Sequence, residues 1–267
     1  MSNTPPFTIG TLSFERCDLA MALPPKERVR LIATAVEAYQ PDLLVTAGYA
    51  VHTRHHLDQV VALLANSINR TTVITEVHYD GKRRRSLGRQ HAMWAIFPDG
   101  ELHRFGRQSF ATMDEARDPD HKGLGRFRRN LERRTVQLDD RTVFALCCGE
   151  LNIVGGRNKP AFIDPECEAA ITAADIIVNP THDRMGNAGT LHAKRSLLSA
   201  PLGRKHPRIY VSCSNWNTDT ANGAQAPSPT LHTVYVDGAP IEGEEYQDGA
   251  FGLVYRHWEV PPRGDAG

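Results

Sequence analysis

The alternation of short apolar runs with helix-period segments predicts one α/β domain, and three observations carry that prediction. Runs rich in β-branched residues recur along the chain at Asp42 to Thr46, Thr71 to Val77, Thr142 to Glu150 and Asp175 to Pro180. Segments with apolar residues on one helical face lie between several of them. The 267 residues are 40% hydrophobic and 23% charged, an ordinary globular composition with enough apolar mass for a full core. With no internal repeat and no linker, one domain is expected over residues 1–260, followed by a flexible tail at 261–267.

In chain order, Phe7 to Phe14 reads as a strand. Pro24-Pro25-Lys26-Glu27 opens a helix, because proline is tolerated in the first turn, and Val29, Leu31, Ile32, Ala35 and Val36 supply its apolar face. The strand Asp42 to Thr46 ends at Ala47-Gly48-Tyr49. A helix from about His56 to Asn66 and the strand Thr71 to Val77 come next. Gly81 to Arg89 is a polar, basic loop. His91 to Phe97 and Glu101 to Phe105 flank the turn Pro98-Asp99-Gly100 and form a hairpin. The pattern weakens from Gln108 to Asp140, where a loop or short helix is expected. Beyond Glu150, a helix is expected from about Pro165 to Ala174, a strand over Asp175 to Pro180 and a helix over Leu191 to Leu198. A strand Arg208 to Cys213, a hairpin at Thr233 to Gly238 and a last strand, Gly252 to Val260, complete the set.

Charge and cysteine content narrow the function classes. Lysine plus arginine (31) balances aspartate plus glutamate (31), so no global field draws the chain to nucleic acid or anionic lipid. No window approaches the roughly 20 apolar residues that span a bilayer, and the first residues lack a basic head before an apolar core. A cytoplasmic location is expected. Cys17, Cys147, Cys148, Cys167 and Cys213 are odd in number and lack CxxC spacing, which argues for reduced thiols over disulfides or a structural zinc site.

The run Thr142 to Glu150 reads as a buried strand ending at Cys147-Cys148-Gly149-Glu150, and ligands bind at the carboxyl ends of strands in open α/β sheets. Ala145-Leu146-Cys147-Cys148-Gly149-Glu150 resembles the nucleophile motif of the nitrilase, or carbon-nitrogen hydrolase, superfamily, with Cys148 in the nucleophile position and Glu150 in the acid position. Other segments match in order. Ala38 to Val45 resembles the family's approach to its catalytic glutamate, and Ala92 to Phe105 the hairpin before its lysine. Ala173 to Pro180 resembles the strand after the nucleophile, Tyr210 to Asn215 the strand ending in asparagine, and Val236-Asp237-Gly238 the closing hairpin. The resemblance implies an αββα sandwich that pairs into a homodimer. It also implies hydrolysis or acyl transfer on a small amide or nitrile, and no cofactor.

In that family a cysteine attacks, a glutamate moves the proton and a lysine stabilises the oxyanion. Here Gly48 stands at the glutamate position. Arg107 stands at the lysine position, with Gln108 one residue away. Glu76, at the end of the neighbouring strand, is either a relocated base or a solvated carboxylate. Glu150 is a second carboxylate candidate, sharing the Cys148 face if the strand continues. His182 follows another strand end and is a candidate partner for the thiol, ahead of His91 and His103. Cys147 and Cys213 read as small buried hydrophobes.

Three alternatives stand beside catalysis. The pocket could bind without reacting. The basic runs Lys82-Arg83-Arg84-Arg85 and Arg126 to Arg134 could bind nucleic acid, though a solvated loop face explains them and no nucleic-acid partner is expected. His55-His56, His182-Asp183 and His192 offer metal-ligand types without zinc-motif spacing, so no metal is expected.

Overall fold

A computed structural model describes residues 6–17, 20–65, 69–80, 91–118, 120, 122–182, 188–203, 206–217, 231–248 and 253–261. The basic run at Lys82, the Gly81 to Arg89 loop, Asp183, the loop Thr218 to Ser228 and the tail beyond Pro261 lie outside the described residues.

The first half builds β1 (Phe7–Cys17), α1 (Pro25–Tyr39), β2 (Leu43–Thr46), α2 (Arg54–Ala65), β3 (Thr72–Tyr79), β4 (Ala92–Ile96) and β5 (Leu102–Arg107). The second half builds β6 (Thr135–Leu138), β7 (Arg141–Ala145), α3 (Pro165–Ala173), β8 (Ile176–Thr181), α4 (Ala188–Leu198), β9 (Ile209–Ser214), β10 (His232–Val236) and β11 (Ala239–Ile241). The edge hairpin β12 (Glu244–Asp248) and β13 (Leu253–Val260) returns to the first sheet. One sheet runs β12-β13-β1-β2-β3-β4-β5 and the other β11-β10-β9-β8-β7-β6.

Local signals fix the helix ends. Pro25 opens α1, and Gln40 closes it in the left-handed region at φ 43°, its N–H on the Val36 carbonyl. Asp164 caps α3 by accepting the Cys167 N–H at 2.9 Å, with Pro165 at the first position.

Strand alternation then sorts side chains into three apolar layers. Leu43, Val45, Ile74 and Met93 of the first sheet meet Val143, Ala145, Val178 and Val211 of the second. Leu44 and Val73 point the other way, onto Val29, Ile32, Val36, Leu57 and Val60 of α1 and α2. Phe144, Ile177 and Tyr210 face Cys167, Ile171 and Leu198 of α3 and α4. The result is the αββα sandwich that the resemblance implies. Each large buried aliphatic contributes about 1.5–3 kcal/mol.

Two expectations are corrected. The strand drawn through Glu150 stops at Ala145, and Cys148–Ile153 winds into a 3-10 turn. Cys148 enters it at φ 40°, and the Glu150 carboxylate folds back onto the Cys147 N–H at 2.8 Å. Strand alternation therefore does not relate Cys147, Cys148 and Glu150. Within Gln108 to Asp140 lie two short helices, Met113–Arg117 and Gly123–Arg128, and also the strand β6, whose polar alternate residues hid it.

Candidate active site

The strands β1, β2 and β3 are parallel, as are β7, β8 and β9, so each sheet brings several carboxyl ends to one edge. Gly48 follows β2, and its N–H donates to the Thr181 carbonyl at the end of β8 at 2.9 Å. The Gly48 carbonyl accepts from Asn215 Nδ2 at 2.7 Å. The same amide reaches the His182 carbonyl at 3.3 Å, and its oxygen takes the Phe14 N–H at 3.1 Å. Asn215 thus ties four strand segments from both sheets into one frame.

The missing side chain at Gly48 has a physical meaning. A Cβ there would lie 2.4 Å from His182 Cδ2, 2.9 Å from Glu76 Oε2 and 3.0 Å from the Thr181 carbonyl. The space that a larger residue would fill holds an imidazole and a carboxylate that come from other strands. Glu76 Oε2 accepts from His182 Nε2 at 2.8 Å and from the Tyr49 N–H at 3.0 Å. Tyr49 sits at φ 61°, and its ring stacks on His182, with centroids 3.8 Å apart and planes at 10°. On its far side lies His78 at 4.3 Å.

With Nε2 on Glu76, the His182 imidazole has the Cys148 side chain as a second hydrogen-bond partner. Burial alone would lower the His182 pKa, but the Glu76 carboxylate and the Cys148 sulfur outweigh it and raise the group to about 10. Burial pushes Glu76 the opposite way from its neighbours, and the charge of His182 together with its hydrogen bond carries the carboxyl below its usual range. Near neutral pH the pair is an imidazolium on a carboxylate, beside the partly exposed Cys148. Cysteine, histidine and carboxylate in that order is the logic of a thiol nucleophile activated by an oriented base.

The turn that presents Cys148 is held from below. Asn179 Nδ2 donates to the Leu146 and Cys148 carbonyls, at 3.1 Å each, and the Tyr210 hydroxyl fixes its oxygen at 3.0 Å. Gly149 packs so closely that a Cβ would lie 2.2 Å from the Ala111 carbonyl oxygen. Glu150 is fully buried and takes Arg134 in a bidentate pair at 2.6 and 2.7 Å, the Cys147 N–H, and the Ser109 N–H at 2.5 Å. Burial raises the Glu150 carboxyl, and Arg134 and the backbone donors oppose it. Its oxygens are committed to this clamp, so Glu150 positions the turn that carries Cys148.

The structure brings Cys148, His182 and Glu76 together and leaves Arg107 apart. Arg107 contributes its carbonyl to Arg134 Nη2 at 2.8 Å, while its side chain is exposed. The neighbouring Gln108 is the buried one. It donates to the Phe110 carbonyl at 3.1 Å, which leaves its oxygen to accept from His91 Nε2 at 3.1 Å. His91 Nε2 in turn stands 3.6 Å from Glu76 Oε1. His103 bonds the Arg133 carbonyl, and His192 the Tyr235 hydroxyl.

Glu76, His91 and His182 offer ligand atoms within 4.8 Å of one another, a donor set that could hold a metal ion. His182 Nε2 and His91 Nε2 are already engaged with Glu76 and Gln108, so the resting geometry is that of a proton network. Cys147 is buried beside Met93 and Arg134, its thiol pushed well up by burial. Arg134 escaped the sequence reading because it closes an arginine-rich run that resembles a solvated face. Within that run Arg126 holds the Ser109 carbonyl, Arg128 pairs with Asp164 and Arg134 with Glu150, so these three serve the fold.

No protein-family model matches the sequence, and no curated protein sequence matches it. Solved structures do match the fold. An amidase from Nesterenkonia sp. AN1, a double mutant in complex with acrylamide, is 12% identical, covers 99% of this chain and 94% of its own, and has a TM-score of 0.58. A carbon-nitrogen hydrolase from Helicobacter pylori G27 is 10% identical over 94% of this chain and 88% of its own, with a TM-score of 0.53. The C. elegans NitFhit protein is 7% identical over 97% of this chain and 62% of its own, with a TM-score of 0.51. At these identities the likeness is one of fold. Among the described residues no helix is long and apolar enough to cross a membrane.

Proposed function

From the nitrilase-superfamily fold of this chain and the geometry around Cys148, we propose that it is an amidase-type acyl-transfer enzyme acting on a small amide through a Cys148–His182–Glu76 triad. The observation that carries this reading is His182, held by Glu76 Oε2 through Nε2 at 2.8 Å and partnered also by the Cys148 side chain.

In this mechanism the Cys148 thiolate attacks the amide carbon and forms a C–S bond. The imidazolium of His182 gives its proton to the nitrogen as the C–N bond breaks, and a thioester remains. Water then enters, His182 takes its proton, and the C–S bond breaks to release the acid and restore the thiolate–imidazolium pair. Glu76 keeps the ring oriented and stabilises its charge throughout. The main-chain N–H of Gly149, next to the nucleophile, is the oxyanion donor in this reading. Arg107, exposed on β5, has no assigned part in the step.

The test is alkylation by iodoacetamide followed by mass analysis of each cysteine. Cys148 is expected to label selectively over Cys147, Cys167 and Cys213, with both labelling at that site and amide hydrolysis lost in Cys148→Ser. Slow labelling that does not favour Cys148 overturns the reading and leaves a fold retained for binding.

A further inference from the structure

Tyr49 follows Gly48, the position without a side chain, and touches both charged members of the triad. Its N–H donates to Glu76 Oε2 at 3.0 Å, and its ring lies on His182 with centroids 3.8 Å apart and planes at 10°. To make both contacts the residue sits at φ 61°, a conformation that a bulky side chain adopts rarely.

The backbone sets up this double contact. The Gly48 N–H on the Thr181 carbonyl, and the Asn215 amide on the Gly48 and His182 carbonyls, keep the chain after β2 beside the chain after β8. Residue 49 therefore falls next to residue 182. Glu76 and His78 lie two apart on one face of β3, so the carboxylate meets the Tyr49 N–H while the His78 ring covers the far side of the Tyr49 ring at 4.3 Å and 29°.

The charges around the stack decide what the Tyr49 ring does. His182 faces Glu76, the Cys148 side chain and, edge-on at 4.9 Å and 84°, His91. His78 is neutral at pH 7, because burial, with His52 adding to it, drops its pKa to about 4. Arg16 is a second cation beside the ring, its Cζ 5.9 Å from the centroid and so at the edge of the roughly 6 Å reach of a cation–π contact. The cation at close range on the ring face is His182. An aromatic face carries negative charge, and it attracts a cation most where water is excluded, as at the largely buried His182.

We propose that Tyr49 is a positioning residue of the acyl-transfer site, its main-chain N–H holding Glu76 and its ring face holding the protonated His182 beside Cys148. The inference rests on the acyl-transfer reading, because its consequence is the reactivity of Cys148. A ring that only filled space would be replaceable by any apolar side chain of similar size.

The test is an NMR titration of the His182 imidazole, assigned by its loss in His182→Ala, in the full chain carrying Tyr49→Phe, Tyr49→Leu or pentafluorophenylalanine at position 49. The fluorinated ring keeps the shape of phenylalanine and reverses the charge of its face, so it separates electrostatics from packing. Tyr49→Phe is expected to titrate as the native protein does. With leucine or the fluorinated ring, His182 is expected to lose its proton at lower pH. Iodoacetamide labelling of Cys148 at neutral pH is expected to fall in both by roughly three- to thirtyfold, the range that a cation–π contact supplies. Native titration of His182 with both leucine and the fluorinated ring overturns the proposal. The acyl-transfer reading fails by a different result, unselective labelling of the cysteines in the native protein, and the His182 titration decides the hold of Tyr49 on the imidazole in either case.

Discussion

Among the described residues, two cysteine–histidine pairs stand in contrasting environments. His232 lies in the core with Nδ1 2.7 Å from the Thr11 hydroxyl and 3.7 Å from Cys213 Sγ, and Nε2 2.7 Å from the Ser13 hydroxyl. Burial, with Arg256 adding to it, drops its pKa to about 3, and burial pushes the Cys213 thiol well up. His182 is raised to about 10. His232 is buried and His182 largely so. The difference is the carboxylate of Glu76, which turns a neutral packing residue into a cation facing sulfur. A thiol beside an imidazole is therefore not a site by itself, and the third group decides.

The sharpest way to break this contrast is Glu76→Gln, which keeps the shape of the side chain and removes its charge. Cys148 alkylation and amide hydrolysis at neutral pH are expected to fall on the order of 10²–10⁴-fold, as when a triad carboxylate becomes an amide. Native rates in that variant would sink the triad.

His232→Ala should act on stability instead. It leaves the Thr11 and Ser13 hydroxyls without their imidazole partner and opens a cavity. Denaturant unfolding is expected to show a loss of about 1–3 kcal/mol or more, with Cys148 labelling unchanged.

The smallest and most diagnostic difference is in pH dependence. The raised pKa of His182 contributes stability that is fully present below its unfolded value near 6.5, and that is lost as pH rises toward about 10. The depressed pKa of His232 has the opposite consequence. The unfolded chain binds the proton first, so stability is lost as pH falls from about 6.5 toward about 3. Urea unfolding across pH should therefore flatten on the alkaline side in His182→Ala and on the acid side in His232→Ala. An unchanged slope in either variant removes that histidine from the account.

Much of the fold was legible because its signals are local. Pro25, Asp164 and the β-branched runs act within a turn or a strand, and alternation along Leu43, Leu44 and Val45 names which layer each will join. β6 was not legible, since Thr135 and Gln137 alternate with only two apolar residues and the strand is recognisable from its partner β7. The turn at Cys148 was hidden for a related reason. Its reversal depends on Glu150 meeting Arg134, sixteen residues away, and on Gly149 touching Ala111.

The sequence alone determined that Cys148 would stand at a strand's carboxyl end and that Gly48 could not move a proton. It offered Glu76 and His182 as separate candidates with no reason to join them. Only the tertiary structure decided that they share the space left open at Gly48. The two residues are 106 positions apart, Glu76 on β3 and His182 just past β8 of the other sheet, and no local pattern encodes the packing of those sheets at 2.8 Å precision around one absent side chain.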